Sequence, residues 1–289
     1  MNEFADKVAI VTGGGMGLGR ALCVELSKRG AAVVVADIDG EAARNAVDEI
    51  VGEGGRARAF QVDVSRRDDV VRLIDTVVSE FGGLDYIFNN AAIVIGGDTR
   101  DLSIEQYDRV LGVNLHGVVY GALAAYRVMV GQGHGHIVNV SSLSGLIPQP
   151  GNTPYSTAKW GLVGFSLALR YEGADLGVKV SCVCPGDMKT DIYKNMTVMN
   201  MDLATIERDS RRTHFLLPQW SAARAAQEIL AGVAHNRAMI VFPWIGRVYW
   251  RLHRFVPSLV YSVTLRRMRS FRKMREKYLA RHPDAIVGH

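Results

Sequence analysis

Short β-branched runs alternate along this chain with stretches whose apolar residues return every three or four positions. "KVAIV" and "AAVVVAD" are apolar almost throughout, as strands buried on both faces must be, and between them residues 17–29 carry Leu and Ala at helical spacing. The pattern predicts a βαβ opening. It continues with a helix over 41–51, a strand "RARAFQVDV", a helix after Ser65 with Asp68 at capping-box spacing, and a strand "LDYIF". Ser103 and Gln106 repeat that spacing ahead of a helix that runs, with an interruption, to Met129. "HGHIVNV", a helix holding Tyr155 and Lys159, and "VKVSCVC" follow; a less patterned region then leads to a helix after Ser221 and a last strand near "AMIVF". Such alternation predicts an α/β fold: a doubly wound parallel sheet of about seven strands with helices on both faces, its ligand crevice at the carboxyl ends where the strand order reverses.

Charge divides the chain in a way that the total conceals. The 289 residues sum to +5, yet residues 247–282 hold eleven Arg or Lys against Glu276 alone, so the rest is net negative. Any argument for an anionic partner therefore concerns the C-terminal segment. The organisation expected is a catalytic domain over 1–245, with a substrate lid at about 187–219, and a basic, aromatic-rich extension over 246–289. Cys23, Cys182 and Cys184 form no CxxC pair and suit a reducing compartment as buried thiols, and no metal site is expected. The N-terminus lacks the basic-then-apolar order of a secretory signal, so a cytoplasmic protein is expected, with membrane association through the extension as an addition to that reading.

The loop "TGGGMGLG" joins the first strand to the first helix, with Thr12, Gly13, Gly17 and Gly19 in the order T-G-x-x-x-G-x-G. Glycines there allow a sharp turn and a close approach of backbone to a pyrophosphate, which the helix N-terminus stabilises; a plain tight turn is the simpler alternative. Asp37 closes the second strand, where a carboxylate can accept both ribose hydroxyls of an adenosine and would repel a 2′-phosphate, so NAD is favoured over NADP. Asp63, ending the third strand, suits either an adenine contact or a turn.

Tyr155 and Lys159 stand four apart after Pro154, on one face of a helix. A phenol with its ordinary pKa of about 10 is a poor base near neutrality, and a neighbouring cation together with the positive nicotinamide of an oxidised cofactor favours the phenolate. The pair suits general acid/base chemistry on a substrate oxygen, and Ser142, at the end of "HIVNV", could hold that oxygen. Taken singly, the pair could be a surface contact and Ser142 a cap.

Together with "NNAA" at 89–92, Asn114 in "GVNLHG" and "PG" at 185–186, these motifs closely resemble the short-chain dehydrogenase/reductase family over about residues 5–245. The resemblance implies a Rossmann-type oxidoreductase moving hydride between nicotinamide C4 and a carbonyl or alcohol carbon. It implies Tyr155 as acid/base, Ser142 as the group that orients the substrate oxygen, Lys159 as the cation that lowers the Tyr155 pKa and binds nicotinamide ribose, and Asn114 as holder of a relay water. It further implies a cofactor site of Thr12, Gly13, Gly17, Leu18, Gly19, Asp37, Asp63, Val64, Asn89, Ala91, Lys159, Pro185, Gly186 and Thr190. Ala92 departs from the family's usual glycine in N-N-A-G. The family commonly forms dimers and tetramers, so a homodimer or homotetramer is expected.

The region 187–219 contains Met188, Met196, Met199 and Met201 with Phe215, Leu216 and Leu217, and pliable methionines suit an irregular apolar ligand. Leu143, Ile147, Ile93, Val94 and Ile95 add apolar candidates without a basic fork for a carboxylate. A hydrophobic secondary alcohol or ketone, steroid-like, aryl or lipid-like, is the expected substrate. The alternatives weighed are a 3-oxoacyl-carrier-protein reductase, which Asp37 argues against, and a non-catalytic cofactor-sensing protein, which the intact Ser142, Tyr155 and Lys159 set argues against. In the extension, Tyr261, Leu265, Met268, Phe271, Met274 and Tyr278 form an apolar helical stripe among basic residues. Peripheral contact with an anionic membrane is the preferred reading of that stripe, and packing over a neighbouring subunit the alternative. Nucleic-acid binding is not expected, because basic charge comes without a reading module.

Overall fold

The structure is a computed structural model and describes residues 2–189, 196–201 and 220–282. The opening is β1 (Val8–Thr12), α1 (Gly17–Lys28), β2 (Ala32–Asp37), α2 (Gly40–Gly52), β3 (Arg56–Gln61), α3 (Arg67–Phe81) and β4 (Tyr86–Asn89). A short β5 (Ile95–Gly96), α4 (Ile104–Leu111), a π-helical turn (Gly112–His116) and α5 (Gly117–Gln132) lead to β6 (Gly135–Val140), α6 (Thr153–Gly173) and β7 (Val178–Pro185). After β8 (Met188–Lys189), β9 (Thr197–Val198) and β10 (Trp220–Ser221) come α7 (Ala222–Ala234), β11 (Met239–Phe242), α8 (Trp244–Phe255) and α9 (Pro257–Arg281). Seven strands form one parallel sheet in the order β11-β7-β6-β4-β1-β2-β3, which places the reversal beside β1, between β2 and β4. The doubly wound architecture expected from the alternation is the one observed.

The sheet separates two apolar layers. Val33 and Val35 join Leu22 and Leu26 of α1, Ala43 and Ala46 of α2, and Ile229 and Leu230 of α7. Val34 and Ala36, with the opposite parity, join Leu73 and Val77 of α3 and Ala122, Ala125 and Met129 of α5. Burial on both faces is why β2 reads as an unbroken apolar run. The three cysteines are buried and unpaired.

Local signals held unevenly. At Ser103 the capping box forms in full, with Gln106 N–H on the serine Oγ (3.3 Å) and the Gln106 side chain back on Ser103 N–H (3.0 Å). The expected box at Ser65 does not form. Its hydroxyl is drawn to the Asp63 carboxylate (2.7 Å), β3 stops at Gln61, and α3 starts at Arg67 with Asp68 and Asp69 in its first turn. The expected interruption before Met129 is the π-helical turn at 112–116, where the wider winding re-aims Asn114.

The extension is two helices broken at Pro257, and it folds back onto the body. Arg272 Nε donates to Asp98 Oδ2 (2.8 Å), and Arg275 pairs with both oxygens of Asp101. Burial alone would raise the Asp98 carboxyl, but the hydrogen bonds from Arg272 and the Arg100 backbone, with both guanidinium charges, hold it below the usual value. No described helix is long and apolar enough to cross a membrane.

Two outcomes follow from these charges. Arg275→Ala strands the buried Asp101 carboxylate, and an expected loss of about 3 kcal/mol, read as a lower thermal midpoint and faster proteolysis within α9, should be largely restored by adding Asp101→Asn. Burial holds the His136 imidazole down at about 3 against its ordinary 6.5, so it is neutral in the fold while the unfolded chain takes up a proton. Stability should therefore fall as pH drops from about 6.5 toward about 3, and thermal melts of His136→Asn should show a shallower acid slope than wild type.

Candidate active site

At the reversal point the loops after β1 and β4 are stitched together. Thr12 is buried at the end of β1; its Oγ1 accepts the N–H groups of Asn90 (3.0 Å) and Ala91 (3.2 Å) and donates to the Phe88 carbonyl (3.4 Å). Asn90 Nδ2 returns to the carbonyls of Thr12 (3.0 Å) and Gly13 (3.3 Å). Gly13 has φ +62°, and a Cβ there would lie 2.9 Å from Ala91 Cα. Gly19 is in tighter contact: its Cβ would fall 1.9 Å from the Gly13 carbonyl oxygen, so only glycine lets α1 begin this close to the loop. Leu18 is buried beneath the same turn.

This cradle fits a dinucleotide. The loop backbone is bare of side chains at 13–15, and Met16, the N-cap of α1, offers no side-chain cap to the first-turn amides, which is how a helix start receives a pyrophosphate. Asp37 is 7% exposed; its Oδ2 accepts Gly15 N–H (2.9 Å) and its Oδ1 accepts Asp39 N–H (3.1 Å), so the carboxylate is aimed at the glycine loop. The cation on the adjoining face, Arg20, is paired with Glu49 (2.7 Å). Asp63 accepts the N–H (3.0 Å) and hydroxyl of Ser65, and so serves as a turn former whatever else it touches. Val64 is buried against Gly117 at the head of α5.

Asn89 does not stand where the sequence placed it. Its side chain points into the layer beneath the sheet, where its Nδ2 donates to Asn139 Oδ1 (2.9 Å) and Asn139 Nδ2 donates onward to Ser166 Oγ (3.0 Å). Position 89 falls within β4, whose pleat turns that side chain inward, and the residue that braces the loop is its neighbour Asn90. Only the doubled Asn in "NNAA" signalled it.

The catalytic candidates meet at the ends of β6 and α6. Ser142 follows β6, accepts Ser144 N–H (3.1 Å) and thereby caps a single 3-10 turn. Pro154 at the start of α6 puts Tyr155 in the first turn and Lys159 one turn on. Lys159 is 1% exposed; its Nζ donates to the Val140 carbonyl (2.8 Å) and lies 5.3 Å from the Tyr155 ring centroid. Ser141 donates to the Lys159 carbonyl (2.8 Å) and pins the helix to the strand end. Asn114 is buried and grips Ile93 with both ends of its amide, accepting its N–H and donating to its carbonyl (both 2.8 Å). That grip shapes the 91–95 segment beside the site.

Burial rather than charge sets the phenol. It pushes Tyr155 up to about 12, the Ser142 hydroxyl pulling the other way and Cys184 adding to the rise, while burial also brings Lys159 down to about 8. The expectation joins Lys159 with the positive nicotinamide of an oxidised cofactor; with Lys159 as the neighbouring cation, desolvation outweighs its pull in the unliganded chain. Tyr155 is thus protonated near neutrality, ready to donate to a carbonyl oxygen. To accept a proton it needs a second positive charge beside it.

Pro185 ends β7, and a Cβ at Gly186 would lie 3.0 Å from both Leu143 and Pro243. Thr190, Phe215, Leu216 and Leu217 lie outside the described residues. Of the methionines, Met188 packs with Trp220 on the core instead of lining a lid, because β8 pairs with β10 there. Met199 rests over Gly97, and its sulfur accepts Gln106 Nε2 (3.2 Å). Val94 and Ile95 are buried, while Ile93, Leu143 and Ile147 are half-buried. Asn152, which precedes α6, has a buried Oδ1 without a hydrogen-bond partner among the described residues and went unnoticed in the sequence. Among the described residues no cluster of three or more His, Cys, Asp or Glu could hold a metal.

Comparison with known proteins agrees with this geometry. Residues 7–200 match the sequence profile of the short chain dehydrogenase family. The chain is 37% identical over 245 residues to SadH of Mycobacterium tuberculosis, covering 83% of this chain and 87% of that one. It is 40% identical over 192 residues to a cyclohexanol dehydrogenase of Acinetobacter sp., covering 66% and 76%. The crystal structure of a short chain dehydrogenase/reductase from Burkholderia phymatum in complex with NAD superposes with a TM-score of 0.82 at 28% identity, covering 90% of this chain and 96% of that one. A cofactor cradle at the strand reversal, a Ser-Tyr-Lys set at the next crossover and these matches carry one conclusion: the chain belongs to the short-chain dehydrogenase/reductase family.

Proposed function

We propose that this oxidoreductase uses NAD to interconvert a hydrophobic secondary alcohol and its ketone. The observation that carries the reading is the half-buried Tyr155 with its buried partner Lys159, hydrogen-bonded to Ser142, on a site whose neighbouring segments carry the apolar residues Ile93, Val94, Leu143 and Ile147. The likeness to a cyclohexanol dehydrogenase supports a cyclic or otherwise apolar alcohol. Asp37, held against the glycine loop with no unpaired Arg20 to offset it, supports NAD over NADP.

Thr12, Asn90 and the glycines would hold the loop for a dinucleotide, Asp37 would accept from its adenosine ribose, and the Lys159 ammonium would serve its nicotinamide ribose. NAD held there would supply hydride exchange at nicotinamide C4. Ser142 Oγ holds the substrate oxygen, and Tyr155 Oη exchanges the proton with it: it donates to a ketone oxygen in reduction and accepts from the hydroxyl in oxidation. The apolar wall excludes water from that oxygen, which strengthens both contacts.

The test is NADH formation, with NADP in parallel, over a panel of cyclic, aryl and long-chain secondary alcohols and a 3-oxoacyl carrier-protein thioester in the reverse direction. Turnover of an apolar alcohol with NAD, lost by about a thousandfold or more in Tyr155→Phe, is expected. Preference for NADP, or for the thioester, would overturn the cofactor or the substrate assignment.

The charges give two finer outcomes. Asp37→Ser should raise the kcat/KM ratio of NADP to NAD by about tenfold or more, since it removes a carboxylate from beside the 2′-phosphate. Oxidation needs the phenolate, so its rate should rise with pH and then level off at an apparent pKa well below the value of about 12 of the unliganded phenol. In Lys159→Met that profile should move to higher pH, whereas carbonyl reduction, which needs the protonated phenol, should fall with rising pH in both proteins.

A further inference from the structure

The apolar stripe expected to face a membrane is turned inward beyond its first residue, Tyr261, which is exposed. Leu265, Met268, Phe271, Met274 and Tyr278 are half-buried on the inner side of α9, the side from which Arg272 and Arg275 reach Asp98 and Asp101, and Phe271 comes close to Gly151. A different apolar face lies outside. On α8, Trp244, Val248, Leu252 and Phe255 fall within one arc of the helix and are exposed, Trp244 by 62% and Phe255 by 78%. The face continues past the Pro257 elbow through Leu259 and Val263, both exposed.

Its charged border is basic. Arg247, Arg251 and Arg254 line one edge of the arc on α8, with Ile245 and Tyr249 on the other, and Arg266, Arg269, Lys273 and Lys277 carry the exposed side of α9 onward. From residue 229 to residue 275 the chain contains no Asp or Glu. An exposed aromatic and aliphatic face beside a row of one charge rules against two occupants. A second copy presenting the same face across a two-fold axis would set arginine rows against each other. A nucleic acid would meet an apolar centre with nothing to read a base edge.

We propose that the α8–α9 elbow binds the surface of an anionic lipid bilayer, with Trp244, Phe255 and Leu259 seated at the acyl boundary and the arginines among the phosphates. The helix lies in the plane of the interface and does not span it. Its opposite side abuts the catalytic neighbourhood: a Cβ at Gly246 would lie 2.7 Å from Leu143 Cδ1, next to Ser142. One helix thus separates the lipid face from the catalytic serine.

The test is co-sedimentation of the full-length protein with phosphatidylcholine vesicles, with and without phosphatidylglycerol. Binding is expected with phosphatidylglycerol present, weakening as salt is added, with a blue shift of tryptophan emission. Phe255→Ser with Leu259→Ser should cut partitioning about tenfold or more while leaving the thermal midpoint unchanged, because both side chains are already in solvent. Arg251→Gln with Arg254→Gln should weaken binding and flatten its salt dependence. Failure to bind phosphatidylglycerol vesicles, or equal binding by the apolar variant, would overturn the proposal. So would a fall in subunit number by light scattering when Phe255 and Leu259 are replaced, which would assign the face to a second copy.

Discussion

Everything at the catalytic end rests on keeping one lysine out of water. Lys159 is 1% exposed, and such an ammonium is tolerated only where its donors are met and its position is fixed. The Val140 carbonyl meets it at the end of β6, Ser141 ties the Lys159 carbonyl to the same strand end, and the Tyr155 ring lies across it. These contacts set the height of α6 over the sheet, and with it the distance between Tyr155 and Ser142. The same burial draws the lysine down to about 8 and the phenol up to about 12, so the phenol keeps its proton until a further positive charge favours its loss.

The cofactor end follows a different rule, in which close contact replaces charge. The Gly13 carbonyl can lie against α1 because position 19 has no side chain, and Thr12 and Asn90 close the gap to β4. The two ends share the sheet: β4 and β6 are neighbours, so the loop that braces the dinucleotide and the strand that ends at Ser142 are set by one register.

Much of this was legible in the sequence because periodicity and spacing are local. The parity of Val33 through Ala36, the T-G-x-x-x-G-x-G loop, and the four-residue step from Tyr155 to Lys159 each survive without knowledge of the third dimension. What was not legible depends on where a strand stops or which face a helix turns inward. Asn89 was misplaced because β4 extends through it, and Ser65 because its hydroxyl prefers Asp63 to the helix start. The stripe on α9 reads the same whether it faces lipid or protein; Asp98 and Asp101, some 174 residues away, decide the matter by claiming Arg272 and Arg275. The weight of desolvation on the phenol also escaped the sequence, since burial has no signature in spacing.

The contact between Gly246 and Leu143 has a consequence for the segment beside the catalytic serine. Leu143 follows the catalytic serine, and its side chain rests where any side chain at 246 would have to go. A larger residue at 246 would displace the Leu143 side chain while leaving Ser142, Tyr155 and Lys159 untouched. The first turn of the extension is therefore a remote dial on the residue that follows Ser142.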